Sequence, residues 1–269
     1  MISINKMKLT YFGESNVPLV AIHGLGSAKT AWKPLQKELP KSYKFITLDL
    51  PGHGESKEVA SPEMTPDKLA ELIHENLVSN GIDKYHLIGN SLGGWIALEM
   101  GAKFPNNVLS ITGLAPAGLW LKPRSKLSPS LSISRALAKI FHNYSNSLLK
   151  IKLFRMLGFG LVSPQWRQFS IETCVDAAIA MGTAPGYPAL WKGTHGKRFD
   201  KQIPSDIPIS IIFGDTDLTL PAKDCQEKSL TPTHSKWYIL ENSGHAPMWD
   251  QTEVVIEITK KTIGGDERI

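Results

Sequence analysis

The 269-residue sequence predicts an α/β fold, with a mainly parallel sheet covered by helices on both faces. Three observations carry this. Short, nearly continuous apolar runs recur along the chain, and runs of that kind suit strands buried on both sides. Helix-period segments lie between several of them. The alternation then stops over about 85 residues and resumes, which marks an insertion.

In order, the predicted strands are Val17 to His23, Lys44 to Asp49, Tyr85 to Gly89, Val108 to Ala115, Ile207 to Gly214 and Lys236 to Leu240. A helix opens at Thr65-Pro66, where threonine caps and proline suits the first turn. Leu69, Leu72, Ile73 and Leu77 form its apolar face, and Asn80-Gly81 stops it. A second helix follows Ser91. From Pro116 to Ile203 the pattern is helical (SLSISRALAKIFHNY, SLLKIKLFRMLG, WRQFSIETCVDAAIAMG), with no convincing strand. The expected division is a core of residues 1–117 and 204–269, with a helical insertion over 118–203.

Composition narrows the class. With 42% hydrophobic and 20% charged residues, the chain resembles an ordinary globular protein. It has no apolar run of membrane-spanning length and no signal-peptide pattern at its start. Cys174 and Cys225 stand far apart and form no metal or disulfide pattern. Buried free thiols and a cytoplasmic location are expected. No clustered His/Cys ligand set is seen, so no metal and no organic cofactor are expected. Net charge is +5, unevenly placed: Pro116 to Lys201 holds thirteen Lys/Arg against three Asp/Glu. Such an excess attracts an anionic substrate, an acidic carrier protein or an anionic membrane surface, or is simply solvated. Nucleic acid is not expected, because aromatic interleaving is missing.

The chemistry-bearing stretch is Gly89-Asn90-Ser91-Leu92-Gly93, a G-x-S-x-G motif between a strand and a helix. A strand that turns abruptly into a helix forces its turn residue into an unfavourable conformation. Flanking glycines remove the Cβ atoms that would clash there. The serine hydroxyl then projects from the sheet edge above a helix N-terminus. A serine nucleophile needs a base. Of eight histidines, His245 in ENSGHAPMW follows the last strand and sits in a loop that reaches the sheet's C-terminal edge. His23 and His53 lie in Gly-rich turns and read as structural. His74, His86 and His142 lie within helix or strand patterns, and His195 and His234 in loops without supporting pattern. The base needs an orienting carboxylate. Asp215 and Asp217 both follow the apolar run ISIIF, and both are candidates. The loop His23-Gly24-Leu25-Gly26 follows the first buried strand and can aim the Leu25 N–H at Ser91. With the Leu92 N–H it would form an oxyanion hole.

Taken in order, HGLG, LDLPGHGES, GNSLGG, FGDTDLTLP and GHAPMWD resemble the α/β-hydrolase family over most of the chain. The order Ser…Asp…His is the family's. The resemblance implies a mostly parallel, eight-stranded sheet flanked by helices, with a helical lid inserted after the sixth strand. It selects Asp217, through a G-x-x-D pattern with Gly214 before Pro221. It implies a serine hydrolase that cleaves carboxylic esters through an acyl-enzyme, acting on a small-molecule ester or related acyl substrate. GNSLGG is also similar to the carbon–carbon hydrolases of ring-fission products. There the residue before the serine and a lid arginine contact substrate, which assigns those parts to Asn90 and Arg167. A hydrolase-fold ligand receptor with little turnover is a further alternative. Asp250 stands where relatives often carry glutamate, and reads as structural.

Overall fold

A computed structural model describes residues 7–56, 64–123 and 129–264. Its strands are β1 (Thr10–Phe12), β2 (Pro18–Ile22), β3 (Lys44–Thr47), β4 (Tyr85–Asn90), β5 (Val108–Leu114), β6 (Ile209–Gly214) and β7 (Lys236–Leu240). They form one sheet in the order β1-β3-β2-β4-β5-β6-β7. Only β1 is antiparallel, pairing Thr10 with Thr47 of β3. The sheet thus has seven strands among the described residues rather than eight, and the helical insertion follows the fifth. Strand β1 is absent from the expectation above. It is three residues long and only partly buried, so it has no apolar run to reveal it.

The helices are α1 (Pro66–Ser79), α2 (Leu92–Lys103), α3 (Pro129–Phe141), α4 (Ser145–Leu148), α5 (Lys152–Phe159), α6 (Ile171–Gly182), α7 (Tyr187–Thr194), α8 (Ala222–Cys225), α9 (Pro247–Asp250) and α10 (Thr252–Gly264). The segment SLLKIKLFRMLG is two helices, not one, broken between Leu148 and Lys152. Thr65 does precede α1, but its hydroxyl donates to the Asp67 carboxylate instead of capping a backbone amide.

Alternation along each central strand splits the core into two layers. Val20, Ile22, Leu87 and Ile211 face one way, into a cluster with Leu69, Ile73 and Leu77 of α1 and Trp95 and Ile96 of α2. Leu19, Ala21, Ile88 and Ile212 face the other, against Trp32, Leu35, Val255 and Ile258. A third, small cluster lies in the insertion: Leu149, Phe159, Trp166, Phe169 and Cys174. Both cysteines are buried, and neither is in a disulfide. Among the described residues no helix is long and apolar enough to cross a membrane.

Candidate active site

Ser91 joins β4 to α2 with φ 54° and ψ −115°, a region that L-residues with a side chain rarely occupy. Its strain is held by three backbone bonds. The Ser91 N–H donates to the Leu114 carbonyl at 2.9 Å, and its own carbonyl accepts from Trp95 at 3.1 Å and Ala117 at 2.9 Å. The flanking glycines are needed for space: a Cβ on Gly89 would lie 2.2 Å from the Gly93 carbonyl oxygen. One on Gly93 would lie 2.0 Å from the carbonyl oxygen of Ile22, in the neighbouring strand β2.

The loop after β2 lies directly against this turn. A Cβ on Gly24 would stand 3.1 Å from that of Ser91. Two buried histidines hold the loop. The His23 ring accepts the Leu50 N–H at Nε2, 3.0 Å, and Nδ1–H donates to the Gly24 carbonyl at 2.8 Å. The His53 ring accepts the Gly26 N–H at Nε2, 3.1 Å, and donates to the Pro51 carbonyl at 3.0 Å. Each ring can accept an amide only when neutral. Burial keeps them so, lowering His23 against the pull of Asp49 and pushing His53 down to about 3. The 3.8 Å approach of Asp49 to His23 Nε2 is therefore not an ion pair. Both histidines are architectural, and the loop they brace carries the Leu25 amide. Leu92 is the first residue of α2, so its N–H has no partner within the helix.

On the far side, His245 Nδ1 donates to Asp217 Oδ2 at 2.8 Å, which leaves the lone pair on Nε2. Asp217 Oδ1 accepts the Thr219 and Leu220 N–H groups, each at 2.8 Å. Burial pushes the Asp217 carboxyl up, but the facing His245 and these amides outweigh it and hold it below the usual carboxylate range. Asp215, two residues earlier, is exposed and accepts the Ser243 N–H at 3.2 Å, bracing the loop that carries His245. Ser91, Leu25, Leu92, Asn90 and His245 all line one cavity of about 330 Å³. Among the described residues no hydrogen bond yet joins the Ser91 hydroxyl to the imidazole. Such contacts are commonly loose without substrate.

The remaining assignments fare differently. Asn90 Nδ2 donates to the carbonyls of Leu114 and His245, 3.1 Å each, so both its protons are spent on the scaffold. Only its oxygen is left to meet a ligand. Arg167 is exposed, with its guanidinium 4.4 Å from the centre of the Trp166 ring, and is outside the cavity lining. The stacking surface of its own neighbour holds it there. Among the described residues no Lys or Arg lines the cavity that holds Ser91 and His245.

Sequence reasoning missed four connections. The His245 N–H donates to the Val162 carbonyl at 2.8 Å. Asp250 accepts the Gly244 N–H at 2.7 Å, the Ser243 hydroxyl at 3.3 Å and the hydroxyl of Ser163. Burial pushes the Asp250 carboxyl up despite these bonds. The insertion is thereby tied to the loop that bears His245. Asp250 itself was visible as a family position; Val162 and Ser163 left no signal. His142, placed by the sequence in a helix pattern and set aside as the base, lines the cavity. So do Leu148, Leu149, Phe154, Trp120 and Trp191, whereas Leu153 points outward.

The chain belongs to the α/β-hydrolase family and is a hydrolase: the family model described as "alpha/beta hydrolase fold" matches residues 17–252. Among curated relatives, a pimeloyl-[acyl-carrier protein] methyl ester esterase of Pseudoalteromonas atlantica is 27% identical over 250 residues, covering 91% of this chain and 93% of that one. Monoacylglycerol lipase ABHD6 of Bos taurus is 25% identical over 252 residues, covering 91% of this chain and 72% of its own. Among solved structures, a putative aryl esterase from Burkholderia cenocepacia superposes with TM-score 0.75 at 20% identity, covering 97% of this chain and 96% of that one, which shows the shared fold.

Proposed function

We propose that the protein is a serine hydrolase that cleaves carboxylic esters of apolar acids through an acyl-enzyme. Residues 118–203 act as the lid over the site. The Ser91 Oγ attacks the ester carbonyl carbon while His245 Nε2 takes its proton. The N–H groups of Leu25 and Leu92 hold the resulting oxyanion, where one such donor contributes about 3 kcal/mol. Collapse of the tetrahedral intermediate breaks the bond to the alcohol, which leaves with the proton from His245. Water then attacks the acyl carbonyl, passing a proton to the same nitrogen. The second collapse releases the acid and returns that proton to Ser91. Asp217 keeps the proton of the neutral ring on Nδ1 and stabilises the charged form.

One observation supports this reading above the others. A strained serine at a strand–helix junction shares a cavity with a histidine whose other nitrogen is bonded to a buried aspartate. The lining favours an apolar acyl group, because Leu137, Phe141, Leu148, Leu149, Met181 and Trp249 surround the space. Carbon–carbon hydrolysis is less favoured, since its lid arginine has no counterpart among the described lining residues. The relatives that act on acyl-carrier-protein esters and monoacylglycerols fit the ester reading.

The test is a panel of p-nitrophenyl esters of rising chain length with the parent protein and Ser91→Ala. The parent should turn over medium-chain esters best. Ser91→Ala should lose about 10⁴-fold or more in kcat with an unchanged circular dichroism spectrum. Hydrolysis by Ser91→Ala at the parent rate overturns the mechanism. A burst of one product equivalent without sustained turnover favours the receptor reading instead.

A further inference from the structure

We propose that the outer face of the helical insertion docks on the surface of an anionic phospholipid bilayer, with the mouth of the cavity turned toward the lipid. The first observation is an apolar stripe that faces the wrong way for a globular helix. Ile133, Leu137 and Ile140 recur along α3 at helical spacing, with Tyr144 continuing just beyond it, and all are exposed: Ile140 at 64% and Tyr144 at 66%. Ile151, Leu153 and Met156 continue the pattern at the start of and along α5. Among the described residues, eleven of the twenty-one exposed large hydrophobic ones fall between Ile133 and Leu161. Scattered apolar surface residues need no explanation, but a concentration of this kind marks an interaction site.

The second observation is continuity with the cavity. Leu137, Phe141, Phe154, Leu157 and Leu161 are exposed and also line the cavity. The mouth therefore opens among the exposed apolar side chains, and an acyl chain passing from a bilayer to Ser91 meets no charged side chain among the described lining residues.

The third is charge. Residues 133–161 contain Arg135, Lys139, Lys150, Lys152 and Arg155 and no Asp or Glu. Lys139, Lys150 and Lys152 are exposed and form no ion pair among the described residues. An apolar face with lysines beside it, on a helix too short and too charged to span, is the pattern of a segment that lies in the headgroup plane. Repulsion between the three exposed lysines of each copy opposes a second copy of this chain as occupant. An acidic carrier protein would satisfy the lysines but leave most of the apolar stripe facing water. The docking itself does not depend on the ester-hydrolase reading; only its purpose, delivery of a lipid-borne ester, rests on it.

Vesicle flotation with the Ser91→Ala protein tests the docking without any readout of turnover. The expected result is binding to vesicles of phosphatidylcholine and phosphatidylglycerol in equal parts, weak binding to phosphatidylcholine alone, and release by salt. Each lysine near an anionic surface contributes about five-fold, so the triple substitution K139Q/K150Q/K152Q should weaken binding about 100-fold. Ile140→Ser with Leu153→Ser, on side chains outside the cavity lining, should weaken it further while hydrolysis of a dissolved short ester by the otherwise parent protein stays unchanged. No flotation with either vesicle overturns the proposal, as does flotation that neither set of substitutions alters. Binding of purified holo acyl carrier protein through the same lysines, without vesicle binding, assigns the face to an acidic protein instead. A dimer in sedimentation that I140S/L153S dissociates assigns it to a second copy. Failure in either direction leaves the esterase test standing.

Discussion

In the body of the molecule, β2 sends Leu19 and Ala21 to one side and Val20 and Ile22 to the other, all with no exposure. In the insertion, Ile133, Ile140 and Tyr144 on and just after α3 are more than half exposed. The two regions use the same kinds of residue under different constraints. A parallel sheet must be covered on both faces, so its apolar residues have partners supplied by α1, α2 and α10. The insertion has one small core of five buried residues; Leu119, Leu190 and Phe199 pack into the body's core, and many of its other apolar side chains line the cavity or lie on the outer surface. In the proposed function the body holds Ser91, Asp217 and His245 in place, while the insertion lines the cavity beside them. The two regions meet at the ties of Val162 and Ser163 to the His245 loop, at the Gly186 N–H bond to the Gly52 carbonyl, and at the ion pairs of Lys33 with Glu172 and Asp176.

The comparison can be broken by the same substitution made in each region. In the body, Gly93→Ala drives a methyl group to 2.0 Å from the Ile22 carbonyl, against backbone that cannot yield without moving β2. We expect a loss of about 4 kcal/mol in urea unfolding and little hydrolysis in the folded remainder. A loss under 1 kcal/mol would mean that the elbow is far more plastic than its close packing implies.

Acid should act next, and on the body. His23, His53 and His86 are buried and neutral: burial pushes His53 down to about 3 and His86 to about 4, and lowers His23. Their folded values lie below the unfolded value of 6.5, so the unfolded chain binds more protons under mildly acid conditions. The stability they support is complete above pH 6.5 and is lost as pH falls toward 4. We expect about 3 kcal/mol to disappear between pH 6.5 and 5, read from melting curves across that window. A flat profile would mean that these rings are not held neutral.

The smallest effect belongs to the insertion. Gly158 lies within α5, and a Cβ there meets nothing within 4 Å. Gly158→Ala should therefore stabilise by about 0.7 kcal/mol through helix propensity, measured by the same urea titration. Destabilisation by this change would show the insertion to be packed as tightly as the sheet.

Much of this molecule is legible locally. Six of the seven strands carry an apolar run, and α1 is bounded by Pro66 and by Asn80-Gly81. The strained turn at Ser91 follows from a strand, a helix and two glycines with nothing between them to relieve the bend. Other features needed the third dimension. Asp215 and Asp217 share one short turn and their local patterns leave both open; the family resemblance picks Asp217, and the path of the chain after β6 exposes the first and buries the second beside His245. Arg167 belongs to the right segment but stacks on Trp166, outside the cavity.

The amino-acid order by itself determined which segments pair as strands, where the backbone must bend sharply, and which side chains are able to move a proton. These depend on periodicity and on steric limits within a few residues. Only the tertiary structure decided which apolar residues line the cavity and that the stripe on α3 faces outward. Periodicity marks the apolar side of a helix, but what lies opposite that side is set by how distant segments dock.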